Sequence, residues 1–169
     1  ELIKNSEVLL KMGNSQSDMS RVTKFCSIKN TETDTSSIIL DYGKELHGGL
    51  QLVMGGSSRR EPSLVRIRFG ESVGEANSET YNSDWLMGFS TDDHAKRDII
   101  VEIPRSGLIE IGNTGFRFVR IDLLQANTTI NLKEARAILR YRDIPYLGSF
   151  KSSNARLDSI WLTGAYTTH

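Results

Sequence analysis

The 169-residue chain balances 21 Lys and Arg against 21 Asp and Glu, so no global field would steer it onto DNA, RNA or an anionic membrane. With 38% hydrophobic and 25% charged residues it has a globular composition and enough length to bury a core. No apolar run nears the ~20 residues of a membrane span, and a single cysteine, Cys26, excludes an internal disulfide.

In chain order, residues 1–34 are the least regular. Residues 8–12 and 22–28 read as two strands separated by the polar loop 13–20. Cys26 lies in the second, and a structural, half-buried thiol is the expected role. A nucleophile would need a base beside it, which the sequence does not show.

From residue 35 onward the apolar residues recur with period two, the signature of half-buried strands. Ile38, Leu40 and Tyr42 alternate with Ile39 and Asp41; Leu50, Leu52 and Met54 follow. Val65, Ile67 and Phe69 stand opposite Leu64, Arg66 and Arg68. Ile99, Val101 and Ile103, then Val119, Ile121 and Leu123, continue the pattern. Gly48-Gly49, Gly55-Gly56 and residues 112–115 are expected to be the turns between strands, with His47 a turn residue. Residues 131–142 contain good helix formers, yet Ala135, Ala137, Leu139 and Tyr141 alternate with charged or larger residues, predicting a last strand. Together these predict an all-β fold, an antiparallel β-sandwich of jelly-roll type.

The period changes near the end. Ser152, Ser153 and Asn154 offer helix N-caps, and Leu157, Ile160, Trp161 and Gly164 fall on one helical face. That face wants a packing partner, and Trp161 is expected to pack between the helix and its neighbours.

Residues 75–97 are acidic and aromatic. Trp85, with Tyr81 and Asp84, is the candidate substrate-binding group, because aromatic rings stack on the C–H faces of sugars while carboxylates bind hydroxyls. Trp85 as a simple loop anchor is the competing reading. Asp92-Asp93-His94 reads as a solvated loop. Calcium held by Asp84, Asp92 and Asp93 is the sharper alternative but lacks a defined loop spacing, so no cofactor is expected. Acid–base catalysis by paired carboxyl groups needs environments that push their pKa values apart, and no acid pair here sits in such a setting; no catalytic residue is assigned.

Residues 41–50 (DYGKELHGGL), 66–72 (RIRFGES) and 115–121 (GFRFVRI) resemble strand motifs of the bacterial α-L-rhamnosidases, a glycoside hydrolase family. Residues 145–150, Ser152-Ser153 and 157–161 resemble that family's crossing into its catalytic domain. The resemblance runs from about residue 38 to the end of the sequence. It implies a β-sandwich domain ahead of an α/α barrel that removes terminal α-linked L-rhamnose with inversion, with every catalytic acid downstream of this sequence. Residues 35–147 would be the sandwich and 148–169 a linker and the start of the first barrel helix. Residues 1–34 would be N-terminal strands or the tail of a preceding domain. The implied partners are a rhamnose-containing glycan and the downstream catalytic domain, with no nucleic acid and no membrane. A carbohydrate-binding module and a plain interaction sandwich are the alternatives. Glycan substrates of that kind incline the localisation to exported or periplasmic.

Overall fold

The computed structural model describes residues 1–10, 24–78 and 97–168, which form two compact units, Glu1–Leu139 and Arg140–His169.

The first unit is an antiparallel seven-stranded sheet. Its strands are β1 (Ile3–Lys4), β2 (Cys26–Lys29), β3 (Ser37–Ser57), β4 (Ser63–Gly70), β5 (Asp98–Ile103), β6 (Gly107–Leu123) and β7 (Thr129–Leu139), in the order β1-β2-β7-β3-β6-β4-β5. The predicted all-β class is observed. Residues 48–54 of β3 lie between β7 and β6, whereas residues 37–41 pair with β6 alone. Beyond the bend β6 pairs with β4 as well. Strands that bend at irregularities and pass from one layer to the other make the corners of a sandwich. Accordingly Cys26, Ile28 and Ile130 from one side of the sheet share one core with Val65, Ile67 and Ile103 from the other.

The glycine clusters are not turns. Gly48-Gly49 and Gly55-Gly56 lie within the 21-residue β3, and residues 112–115 lie within β6. They mark bulges, where an extra residue bends a strand. Opposite Gly48 and Leu50 the partner strand jumps from Thr114 to Ile111, and Gly112 takes φ +84° to make that step. His47 accordingly pairs with Gly115 in mid-strand. A glycine cluster reads the same whether the chain reverses or merely kinks, and only the presence of a continuing partner strand decides.

A bulge also explains the mixed pattern near the end of this unit. Val53 pairs with Glu134 but Met54 with Leu132, so Lys133 is the extra residue. Before it Ile130 and Leu132 face the core; after it Ala135 and Ala137 do. The predicted last strand is present and stops at Leu139.

The N-terminal prediction needs correction. Ser6–Leu10 is a 3-10 helix, not a strand. Asn5 initiates it with φ +56°, a conformation Asn tolerates, and its side-chain amide donates to the Phe25 carbonyl at 3.2 Å. The predicted strand at 22–28 is found as Cys26–Lys29, with residues 22 and 23 outside the described ones. Cys26 is buried, and burial raises its thiol pKa.

Aromatic packing holds the bend. Phe116 meets Phe69 at 5.0 Å and Tyr42 at 5.8 Å, both edge-on. The Tyr42 hydroxyl donates to the Ala135 carbonyl at 3.1 Å. Burial pushes the Tyr42 phenol above its ordinary range, which is about 10. The unfolded chain therefore loses this proton first, so the Tyr42 contribution is whole below about pH 10 and is lost as pH rises past it. Urea midpoints at about pH 9 and 11 test this. Wild type should lose stability between the two pH values, and Tyr42→Phe should flatten that loss.

The second unit contains α2 (Ala155–Thr167). The Asn154 side chain accepts from Arg156 N–H at 3.0 Å, as the predicted cap requires. Asp158 accepts from Ser152 N–H at 2.8 Å and Lys151 at 2.5 Å. Trp161 stacks on Phe150 at 6.4 Å, while Leu157 and Ile160 stay exposed.

Candidate functional site

Trp85, Tyr81 and Asp84, like Asp92, Asp93 and His94, lie outside the described residues. Their flanks are described. Upstream is the short helix α1 (Val73–Asn77), capped by Ser72, whose hydroxyl accepts from Glu75 N–H at 3.1 Å. Downstream, Arg97 bridges to Glu75 at 2.5 Å and to Glu71 at 3.2 Å, and its carbonyl accepts from Phe69 N–H at 2.8 Å. Arg68 donates to the carbonyls of Asn77 and Ser78 at 3.4 Å. Residues 78 and 97 are thus both tied to β4.

Beside this anchor, the outward residues of β4 and β6 build a charged ledge. Arg66 clasps Asp98 with two bonds, at 2.7 and 2.5 Å. The register sets Arg68 directly opposite Arg120, a repulsive pairing in itself. Asp122 relieves it: Oδ2 accepts from Arg68 at 2.8 Å and Oδ1 from Arg120 at 2.7 Å. Arg120 also donates to the Asn77 side-chain oxygen at 2.5 Å. Paired charges of this kind are fixed in orientation and compensate one another's desolvation.

A shallow pocket of about 230 Å³ opens on this ledge. Arg66, Arg68, Arg120 and Asp122 form one side, and Thr35, Ser36 and Ser37, where β3 begins, form another. Its volume falls below the roughly 300–1,000 Å³ of drug-sized clefts, so it suits one small ring or group. The wall at Ser36 is held by Asn30, whose side-chain oxygen accepts from Ser36 N–H at 2.7 Å.

This cluster was not foreseen in the sequence. Alternation puts Arg66, Arg68, Arg120 and Asp122 on the outer face, but more than fifty positions separate the two pairs. Only the register Arg66↔Asp122 and Arg68↔Arg120 brings them together.

Elsewhere the exposed Asp41 is held down to about 2, first by its bonds to Arg117 and next by Gly43 N–H. It is an ion-pair partner, not a proton donor near neutral pH. Among the described residues, no group of three or more His, Cys, Asp or Glu side chains gathers to hold a metal ion.

No protein-family model matches the sequence, and no curated protein matches it significantly. Among solved structures, the chain is similar to a rhamnosidase from Klebsiella oxytoca with rhamnose bound, at a TM-score of 0.59 and 15% identity. That match covers 78% of this chain and 26% of the rhamnosidase, so the chain spans about a quarter of that protein's length. It is also similar to the lectin domain of lectinolysin complexed with Lewis B antigen, at a TM-score of 0.43 and 15% identity over 69% of this chain and 72% of that one. The rhamnosidase likeness is one of fold.

Proposed function

We propose that the chain is a non-catalytic β-sandwich portion of a larger α-L-rhamnosidase-like glycoside hydrolase acting on terminal α-L-rhamnose in glycans. The observation that carries this reading is spatial. Residues 41–50, 66–72 and 115–121 carry the rhamnosidase-like motifs, and they fall on or at the end of β3, β4 and β6. Those strands are hydrogen-bonded neighbours, with β6 in the middle. Motifs scattered through the sequence therefore converge on one patch of a sandwich whose fold resembles part of a rhamnosidase.

In this reading residues 148–169 lead into the catalytic domain, whose surface would cover Leu157 and Ile160. The sandwich braces that domain, and Trp85, Tyr81 and Asp84 contact the sugar. Hydrolysis of an aryl α-L-rhamnoside tests it. The 169-residue chain should be inactive, the whole protein active with inversion, and Trp85→Ala in the whole protein should raise KM several-fold. Hydrolysis by the 169-residue chain alone, or none by the whole protein, would refute the proposal.

A further inference from the structure

We propose that the pocket on the outer face of β3, β6 and β4 is a binding site for a single neutral sugar residue, with adjacent ring hydroxyls gripped between Arg120 and Asp122. Three observations support it.

The first is unspent hydrogen-bonding capacity in a fixed geometry. Arg120 spends Nε on Asp122 and Nη1 on Asn77. Its Nη2 makes no hydrogen bond among the described residues, and the side chain keeps 27% exposure. The guanidinium is therefore pre-oriented yet still has donors to give. Each Asp122 oxygen takes one arginine N–H, and a carboxylate oxygen can accept a second bond. A spare donor next to a spare acceptor is the complement of neighbouring hydroxyls, each of which both donates and accepts.

The second is the neighbouring strand, where Ser37 pairs directly with Asp122. Thr35 and Ser37 line the pocket, and their hydroxyls make no hydrogen bond among the described residues. Leu124, partly exposed, lines it too and offers an apolar patch to ring C–H groups. Polar groups on neighbouring strands beside an apolar patch fix the orientation of a small ligand.

The third is charge. A cation here would meet three arginines, while an anion would have to sit beside Asp122 and compete for arginines that Asp98 and Asp122 already engage. A neutral, hydroxyl-rich ligand meets neither penalty. The volume of about 230 Å³ accommodates one ring and not a chain. Further sugar residues would extend into solvent.

The site stands on these residues alone; only the choice of rhamnose as first ligand rests on the glycosidase reading. The test is an amide-resolved NMR titration of the 169-residue chain with methyl α-L-rhamnoside, methyl α-D-glucoside and acetate. A neutral glycoside should shift the amides of Ser36, Ser37 and Leu124 saturably, with a millimolar Kd, which corresponds to about −4 kcal/mol. Arg120→Met should weaken binding at least tenfold. Ser37→Val, at a strand position that favours Val, should keep the melting temperature and still weaken binding several-fold. The proposal is overturned if neither glycoside saturates these amides, if acetate shifts them equally, or if Ser37→Val binds as wild type does. Sugar binding here without hydrolysis by the whole protein would sink the rhamnosidase reading and leave the site. Hydrolysis without binding here would do the reverse.

Discussion

Gly112→Ala is expected to destabilise the sandwich by about 3 kcal/mol, a fall of roughly 10 °C in Tm for a unit of this size. Two penalties combine at this position. The backbone adopts φ +84°, and the left-handed region costs a residue with a Cβ about 1–2 kcal/mol. The added methyl would also stand 2.5 Å from the Phe69 ring. That ring is fully buried and wedged edge-on against Phe116, so it has nowhere to swing. Overpacking of this kind costs about 1–3 kcal/mol. Gly43→Ala separates the two causes, since its φ is +82° but a methyl there meets nothing within 4 Å. Only the backbone penalty should remain, about a third to a half of the Gly112 effect. Equal losses in the two variants, measured by thermal or urea unfolding, would show that the Phe69 contact contributes nothing.

Asn30→Ala should cost a similar amount by a different route. Asn30 is 0% exposed and joins three parts of the sandwich. Its side-chain amide donates to the Leu123 carbonyl at 2.7 Å, its oxygen accepts from Ser36 N–H at 2.7 Å, and its own N–H donates to the Thr128 carbonyl at 2.9 Å. Truncation removes the two side-chain bonds and strands their buried partners, each at about 1–3 kcal/mol. The expected loss is roughly 2–4 kcal/mol on that basis. Asn30→Asp keeps the shape and the acceptor but turns a carboxylate towards the Leu123 carbonyl, so at neutral pH it should be at least as damaging. Denaturation midpoints test both, and a change below about 0.5 kcal/mol, typical of a surface position, would contradict the assignment. Asn30 also fixes Ser36 in the wall of the sugar pocket, so sugar affinity should fall along with stability.

These two residues also show how differently the sequence exposes structure. The Gly112 cluster is conspicuous, but its expected role as a turn is wrong. Asn30 follows a short strand and its junction is not visible there, because two of its three partners, Leu123 and Thr128, lie more than ninety positions away. The candidate site behaves like Asn30. Each of Arg66, Arg68, Arg120 and Asp122 is an ordinary outward residue of an amphipathic strand, and their meeting depends on pairing between β4 and β6.

What the sequence alone determined was local. Period-two alternation established an all-β chain, because each strand must turn one set of side chains inward whatever its partner. The position of Cys26 among apolar neighbours implied a structural thiol, and Asn154 announced the start of α2 because a cap satisfies N–H groups only a few residues away. The tertiary structure decided everything that rests on pairing: glycines that bend β3 and β6 without ending them, the parity change at Lys133, the buried Asn30 junction and the Arg120–Asp122 pocket. The physical reason is the same in each case. A strand's hydrogen bonds are made to another strand, so where it bends, and which side chains it brings together, is fixed by a partner that its own residues do not name.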